Sequence, residues 1–399
     1  MPREIITPKI RGFICINAHP EGCAKNIENQ FQLIQQRQHY PGKALNALVI
    51  GASTGYGLSS RIALAGGYQA KTLGIFFERA PEGNKIGSAG YYNSVAFHKK
   101  AKSMGLWTKS INGDAFSDAI KQQTIDTIKS ELGKVDMVVY SLASPRRTHP
   151  KTGQVHNSVL KPIGQAYTNK TVDLASEKIS DITIQPATEK ELEDTIAVMG
   201  GEDWQMWMEA LLQNNLLNQG ARTVAYSYIG PELTWPIYRN GTIGKAKEDL
   251  ENMAKHLNEL LQTKVEGNAW VSVNKALVTQ ASAAIPVVPL YISLLYRVMK
   301  NKGTHEGCIE QMARLFLEHL NPSKKPLLDK DQRIRLDDLE MKEDVQKETA
   351  KLWQEVNTEN LKQISEFEGY KHEFRTLFGF EVPGVDYNQA VEITELLDN

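Results

Sequence analysis

Tyr238 and Lys247, in the stretch Tyr238-Arg-Asn-Gly-Thr-Ile-Gly-Lys-Ala-Lys247, offer a phenol and an amine near the start of an expected helix. A phenol beside an ammonium can hand a proton to a developing oxyanion, which is chemistry used by nicotinamide-dependent reductases. The usual spacing for such a pair, four residues on one helix face, is absent: the fourth residue after Tyr238 is Thr242. Residues nine apart are separated by about 2.5 helical turns, so one continuous helix would put Tyr238 and Lys247 on opposite faces. They converge only if Tyr238 precedes the helix, and Asn240-Gly241 and Gly244 supply the flexible entry this needs. Lys245 is the competing amine, and a surface position for both lysines is the competing structure. Tyr228 closes a strand-like run; it lines a substrate pocket, bonds a substrate oxygen, or packs in the core.

A second constellation lies upstream. The apolar run Ala47-Leu-Val-Ile50 leads into Gly51-Ala52-Ser53-Thr54-Gly55-Tyr56-Gly57. Its spacing is G-x3-G-x-G rather than G-x-G-x-x-G, but the physical need is the same. Glycine permits the tight turn, the approach of a phosphate to the backbone, and close packing of helix on strand. A helix beginning near Tyr56 would present free N–H groups to a pyrophosphate. The next strand candidate ends at Phe77-Glu78-Arg79, where an acid can accept from the adenosine ribose hydroxyls and repel a 2′-phosphate. That favours NADH over NADPH, with Arg79 as a softening neighbour. Asn112-Gly-Asp114-Ala115 places a carboxylate where an adenine amino group would lie. Ser141-Leu142-Ala143-Ser144 would pass the ribose and nicotinamide end.

Positioning these groups is the task of alternating elements. Strand candidates are Ala47–Ile50, Thr72–Phe77, Thr108–Ile111, Met137–Leu142, Arg222–Ile229 and Trp270–Val273. Helical stretches between them include Leu58–Ala65, Tyr92–Met104, Phe116–Leu132 and Trp204–Asn215. This alternation predicts an α/β fold, a Rossmann-type doubly wound parallel sheet with ligands at the strands' carboxyl edge. The first 45 residues add a strand candidate, Arg11–Ile16, and a helix, Asn26–Gln38. Ser144–Leu192 is polar and turn-rich and reads as a mid-chain insertion with a small hairpin. Beyond Asn321 a polar helical stretch, Lys342–Phe367, forms a C-terminal extension. One elaborated domain over 1–399 is expected, with an N-terminal extension (1–45), a dinucleotide-binding and catalytic core (46–320) and a C-terminal extension (321–399).

Composition narrows the classes. A formal net charge of −1 gives no electrostatic basis for nucleic-acid binding. Three cysteines, at 15, 23 and 308, are too sparse for a disulfide framework and fit the cytoplasm. No metal-ligand pattern surrounds them, so no metal is expected. The N-terminus lacks the layout of a signal peptide. Ala276–Tyr296 carries no formal charge, but Pro286 and Pro289 interrupt it, so a loop and a buried helix are expected rather than a membrane span.

The chain resembles the trans-2-enoyl-CoA / enoyl-acyl-carrier-protein reductases of the FabV/TER type over essentially its whole length. The resemblance rests most on Ser141-Leu-Ala-Ser-Pro-Arg-Arg-Thr-His-Pro150, Met199-Gly-Gly-Glu-Asp-Trp-Gln-Met-Trp207, Tyr291-Ile-Ser-Leu-Leu and Gly303-Thr-His-Glu-Gly-Cys308. It implies NADH-dependent reduction of the carbon–carbon double bond of enoyl thioesters, the last reductive step of fatty acid elongation. The substrate would be carried by coenzyme A or by acyl carrier protein. The family's Tyr-x8-Lys signature falls on Tyr238 and Lys247, which selects Lys247 over Lys245. Its acidic NADH selector falls on Glu78, its adenine-side Asp on Asp114, its substrate-contacting tyrosine on Tyr228, and its nicotinamide-side stretch on Leu277-Val278-Thr279. The resemblance also implies an N-terminal hairpin and a monomer. In this mechanism Lys247 is expected to lower the pKa of the Tyr238 phenol. A carbonyl reductase or alcohol dehydrogenase, and a non-enzymatic NAD-binding protein, are the rival readings.

Overall fold

Seven apolar runs become parallel strands: β1 (Asn46–Ile50), β2 (Lys71–Phe76), β3 (Thr108–Asn112), β4 (Val135–Tyr140), β5 (Leu217–Ser227), β6 (Asn268–Val273) and β7 (Ile334–Arg335). They line up in one sheet in the order β3-β2-β1-β4-β5-β6-β7. β1, β2 and β4 are mostly apolar because a sheet covered on both faces needs no polar alternation, whereas the edge strand β3 reads Thr-Lys-Ser-Ile-Asn. The strand order reverses between β1 and β4, and the crevice outside their carboxyl ends is where such sheets bind ligands. The computed structural model describes residues 3–12, 14–37 and 44–398.

The helices are α1 (Pro20–Gln36), α2 (Gly55–Tyr68), α3 (Ala89–Ser103), α4 (Asp118–Thr127), α5 (Glu189–Met199), α6 (Glu202–Gln213), α7 (Thr242–Val265), α8 (Gln280–Ala283), α9 (Val288–Asn301), α10 (Cys308–Arg314), α11 (Glu343–Glu355), α12 (Leu361–Ile364) and α13 (Phe367–Thr376). One sheet face packs against α1, α2, α3 and α10 through Phe31, Ile62, Phe97 and Met312. The other packs against α4, α6 and α7 through Ile125, Trp204, Trp207 and Leu257. A third apolar cluster joins α9 to α11 and α13.

Most expected elements form with shifted ends. α1 starts six residues before the expected Asn26, because His19 Nδ1 accepts the Gly22 amide (3.1 Å) and Pro20 suits the first helical turn. Its expected last residue, Gln38, lies outside the described residues. α4 runs into a π-helical turn, Ile128–Leu132. The candidate strand Arg11–Ile16 is instead a hairpin, with Ile10–Arg11 paired to Ile14–Cys15 around Gly12 at φ +58°; Phe13 lies outside the described residues. The insertion holds two hairpins, Arg146–Thr148 with Val155–Asn157 and Tyr167–Val172 with Ile179–Ile184, before Thr188 and Glu191 cap α5. The single expected helix Lys342–Phe367 is broken. Asn357 Oδ1 takes the amides of Glu359 and Asn360, and Asn360 Nδ2 donates to Glu355 O, which ends α11. β7 was not expected; two residues carry too little pattern to read.

The segment Ala276–Tyr296 is a loop, the single turn α8 and the buried helix α9. Leu290, Leu294 and Val298 are fully buried there, each contributing about 1.5–3 kcal/mol by leaving water. Among the described residues no helix is long and apolar enough to cross a membrane.

Candidate active site

β1 delivers the glycine turn to the crevice. Gly51 lies at φ +88°, and a β-carbon on it would strike the Ser141 carbonyl at the end of β4. A β-carbon on Gly57 would strike the Gly51 carbonyl. Both positions are therefore closed to larger residues. The built β-carbon direction of Gly51 also ends 3.4 Å from Leu142 Cδ2. Thr54 caps α2 without a side-chain hydrogen bond, so that side chain leaves the first-turn amides of the helix unoccupied.

Glu78 folds back over this turn. Its Oε1 accepts from Ser53 Oγ (2.7 Å) and its Oε2 from Ser88 Oγ (2.5 Å). Asn112 Oδ1 takes the Glu78 amide (2.9 Å) and so ties the ends of β2 and β3. Asp114 Oδ1 accepts the Phe116 amide (3.0 Å), and Ala115 is buried beside it. Phe77 stands 79% exposed and is available to a ring from solvent. Ala143 is exposed and Leu142 half-buried at the end of β4, while Ala52 is buried. Tyr56 turns inward: its hydroxyl donates to the Lys275 carbonyl (2.8 Å), a link to the strand β6 side.

The far wall is the loop after β6. The β-carbon direction of Gly55 meets Thr279 Cγ2 at 3.9 Å, so the glycine turn and the loop Leu277-Val278-Thr279 face one another. The Val278 amide donates to Tyr296 Oη (3.0 Å), and Thr279 Oγ1 caps α8 at Ser282 N (3.0 Å). Leu277 and Val278 are buried. Val287, where α9 begins, lies at φ +73°, a strained conformation for a β-branched residue.

Tyr238 precedes α7, in the turn after Glu232–Thr234. A β-carbon at Gly244 would strike the carbonyls of Tyr238 and Arg239, so only glycine lets the first turn of α7 lie on the Tyr238 turn. The Tyr228 and Tyr238 rings meet edge to face with centroids 4.7 Å apart. Lys247 Nζ donates to the Tyr226 carbonyl near the end of β5 (2.9 Å), whereas Lys245 is exposed and pairs with Glu248 (2.8 Å). Burial pulls the Lys247 pKa down to about 8 against the opposing pull of Glu251.

The expected lowering of the Tyr238 pKa is not what the structure holds. Burial, and then the charge of Glu340, push the phenol up, and Lys247 directs its protons to a backbone carbonyl instead. At neutral pH Tyr238 is thus a neutral hydrogen-bond donor.

Sequence reasoning missed several groups here. Glu340, fully buried, accepts from Tyr228 Oη (3.0 Å), Tyr291 Oη (2.7 Å) and the Ala276 amide (2.7 Å). Lys275 is also buried, with Nζ 4.6 Å from the Tyr296 ring centre. The signal for both was thin: a carboxylate and an amine in stretches that otherwise read as loop. Among the described residues no cluster is suited to hold a metal ion, and the three cysteines are unpaired by disulfides.

A glycine turn at the switch point of a parallel sheet, a phenol set just ahead of α7 and a lysine turned toward β5 are together the parts of a Rossmann-type reductase that uses a nicotinamide dinucleotide. The model of the trans-2-enoyl-CoA reductase catalytic region matches residues 85–321, and that of the NAD(P)H binding domain of trans-2-enoyl-CoA reductase matches residues 5–83. A relative from Ruminiclostridium cellulolyticum, "Trans-2-enoyl-CoA reductase [NADH]", is 59% identical over 98% of each chain. One from Coxiella burnetii, "Enoyl-[acyl-carrier-protein] reductase [NADH]", is 56% identical over 98% of this chain and 97% of its own. Among solved structures, Clostridium acetobutulicum trans-2-enoyl-CoA reductase in complex with NADH is 43% identical with a TM-score of 0.96, covering 99% of this chain and 100% of that one. The chain belongs to the trans-2-enoyl-CoA reductase family and is an oxidoreductase with NADH as its cofactor.

A further model, described as an enoyl reductase FAD binding domain, matches residues 328–391. That segment holds the edge strand β7 and then α11, α12 and α13, whose Val345, Trp353, Leu361, Phe367 and Phe374 pack into the α9 cluster. It contains no strand–glycine turn–helix unit, and Gly379, its glycine turn after α13, is closed off by His19 O and Cys23 N. These residues do not fit a flavin site.

Proposed function

We propose that this chain saturates trans-2-enoyl thioesters with Tyr238 as the donor to the thioester oxygen and Lys247 as the cation serving the cofactor ribose. NADH, when bound, supplies the hydride that adds to the β-carbon. Charge then gathers on the thioester oxygen, and a preorganised donor aimed there carries the main catalytic effect. Tyr238 fits that task because its environment keeps it protonated. The observation that carries the reading is the hydroxyl of Tyr238: among the described residues it has no hydrogen-bond partner, while its neighbour Tyr228 is committed to Glu340.

Gly51, Ala52, Ser53, Thr54, Gly55 and Tyr56 would hold the pyrophosphate side, with Phe77, Glu78, Asp114 and Ala115 at adenosine and Leu142, Ala143, Leu277, Val278 and Thr279 toward the nicotinamide. Tyr228 walls the acyl pocket. Coenzyme A and acyl carrier protein are the two carriers such a pocket would serve. The three regions act as one domain of a cytoplasmic monomer; the family resemblance supports the monomer, and three sparse cysteines fit the cytoplasm. A carbonyl reductase is disfavoured because Thr242 stands where its lysine would be.

The test is NADH oxidation, followed at 340 nm, with crotonyl-CoA and longer enoyl thioesters on either carrier. Consumption of NADH is expected, well above that of NADPH, and Glu78→Ala should narrow the gap between the two. A folded protein that leaves the absorbance unchanged, or that uses both cofactors equally, overturns the reading of the site or of Glu78 respectively.

A further inference from the structure

Glu340 belongs to the C-terminal extension, 112 residues beyond Tyr228. After β7 the chain turns back across the end of β6, where the amides of Leu336 and Asp337 both donate to the Val273 carbonyl. This turn carries Glu340 beneath three elements at once. Tyr228 follows β5, Tyr291 is on α9, and Ala276 begins the loop toward the nicotinamide side. Each sends a proton donor to the carboxylate: both phenols reach Oε1, and the Ala276 amide reaches Oε2. Three donors converging on two oxygens require a group that only accepts. Gln346 closes the far side, with Nε2 donating to the Glu340 carbonyl (2.8 Å) and lying 3.2 Å from Tyr291 Oη.

The two phenols in edge contact are thereby made unequal. Tyr228 spends its only proton on Glu340 and can offer the pocket lone pairs alone. Tyr238 keeps its proton. We infer that Glu340 is a positioning residue for enoyl reduction: by taking the Tyr228 proton and the Ala276 amide it leaves Tyr238 as the one phenol able to donate to the thioester oxygen, and it fixes the start of the 276–279 loop. The inference rests on the role proposed for Tyr228 and Tyr238.

Glu340→Gln keeps the shape but presents an NH2 group to at least one of the three donors, so Tyr228 must release or redirect its proton. The expected result is a fall in kcat on the order of 10- to 100-fold, the scale of one misdirected buried hydrogen bond. NADH affinity, read by fluorescence titration, should stay near that of the parent. The Ala276 amide can only donate, so the glutamine oxygen must face it and the NH2 must face the two phenols; the loop stays held, the loss acts through Tyr228, and it should largely vanish in a Tyr228→Phe background. Losses that multiply independently, or a Glu340→Gln enzyme with parental kcat, overturn the inference. A Tyr228→Phe enzyme that loses kcat as heavily as Tyr238→Phe instead overturns the reading of Tyr228 as a phenol with no proton to give the substrate, which is a different failure. Glu340→Asp retains the buried charge and withdraws it by one methylene. It serves if the glutamine variant does not fold, with the same fall in kcat expected. If neither variant folds, Glu340 is a structural carboxylate and the inference fails.

Discussion

Lys245 and Lys247 leave one helix two residues apart, about 200° around its axis, and meet opposite environments. Lys245 is exposed and pairs with Glu248, an interaction worth little in water. Lys247 is turned toward β5, and burial brings its pKa to about 8. Lys247→Ala should therefore lose most of the activity while Lys245→Ala stays near the parent. The kcat/KM of the parent should also fall as pH rises through about 8, where Lys247 loses its proton. Steady-state kinetics across pH 6–10 in the three proteins checks this; a severe Lys245→Ala with an active Lys247→Ala reverses the assignment. Glu340 shows the limit of residue-level reading. Nothing in its local sequence marks it, because its meaning comes from three donors brought from distant parts of the chain.

At the scale of elements, legibility followed pattern strength. β1, β2, β4 and the glycine turn could be read because an apolar run ending in glycines has few other structures. The entry of Tyr238 ahead of α7 could be argued from Asn240-Gly241 and Gly244, and the collision that any β-carbon at Gly244 would cause gives the reason. The broken C-terminal helix could not, since the Asn357 turn competes with a helical pattern that continues past it. The loop between Thr279 and Val288 joins the single turn α8 to the start of α9. Ala283 and Ile285 are buried, and the strained Val287 sits between Pro286 and Pro289; the proposed site would make these residues the wall of the acyl pocket. Ala283→Phe or Ile285→Trp should shift the ratio of crotonyl-CoA to dodecenoyl-CoA turnover several-fold before the melting temperature changes much. An unchanged ratio with a lowered melting temperature would place these residues in the core rather than in the pocket wall.

At the scale of the whole molecule, the two chain ends are sewn together over α3. Arg3–Glu4 pairs with Val391–Glu392, Tyr92 Oη donates to the Ile393 carbonyl (2.8 Å), and the Leu397 amide donates to Tyr91 Oη (3.0 Å). His98, 1% exposed, is the last stitch, with Nδ1 3.0 Å from the Asp398 carbonyl and Nε2 2.8 Å from Ser110 Oγ. The Asp398 carbonyl can only accept, so Nδ1 carries the proton, and in the neutral ring Nε2 is left as the acceptor facing Ser110 Oγ. The imidazole is thus held neutral. Burial, then the Arg61 charge, lower its pKa to about 3, Lys102 adding to this and the Asp398 carbonyl and carboxylate opposing it. The unfolded chain binds this proton below about pH 6.5 and the native one does not, so the group's contribution makes stability fall as pH drops from about 6.5 toward 3. The full shift corresponds to on the order of 5 kcal/mol. His98→Gln keeps a donor and an acceptor without a titrating proton. It should unfold with a shallower dependence on pH over that window, while other carboxylates contribute equally to both proteins. Urea denaturation at a series of pH values reads the difference directly. Parallel curves for parent and variant would mean that His98 takes its proton in the native state, and that the tail over α3 opens at no cost to the fold.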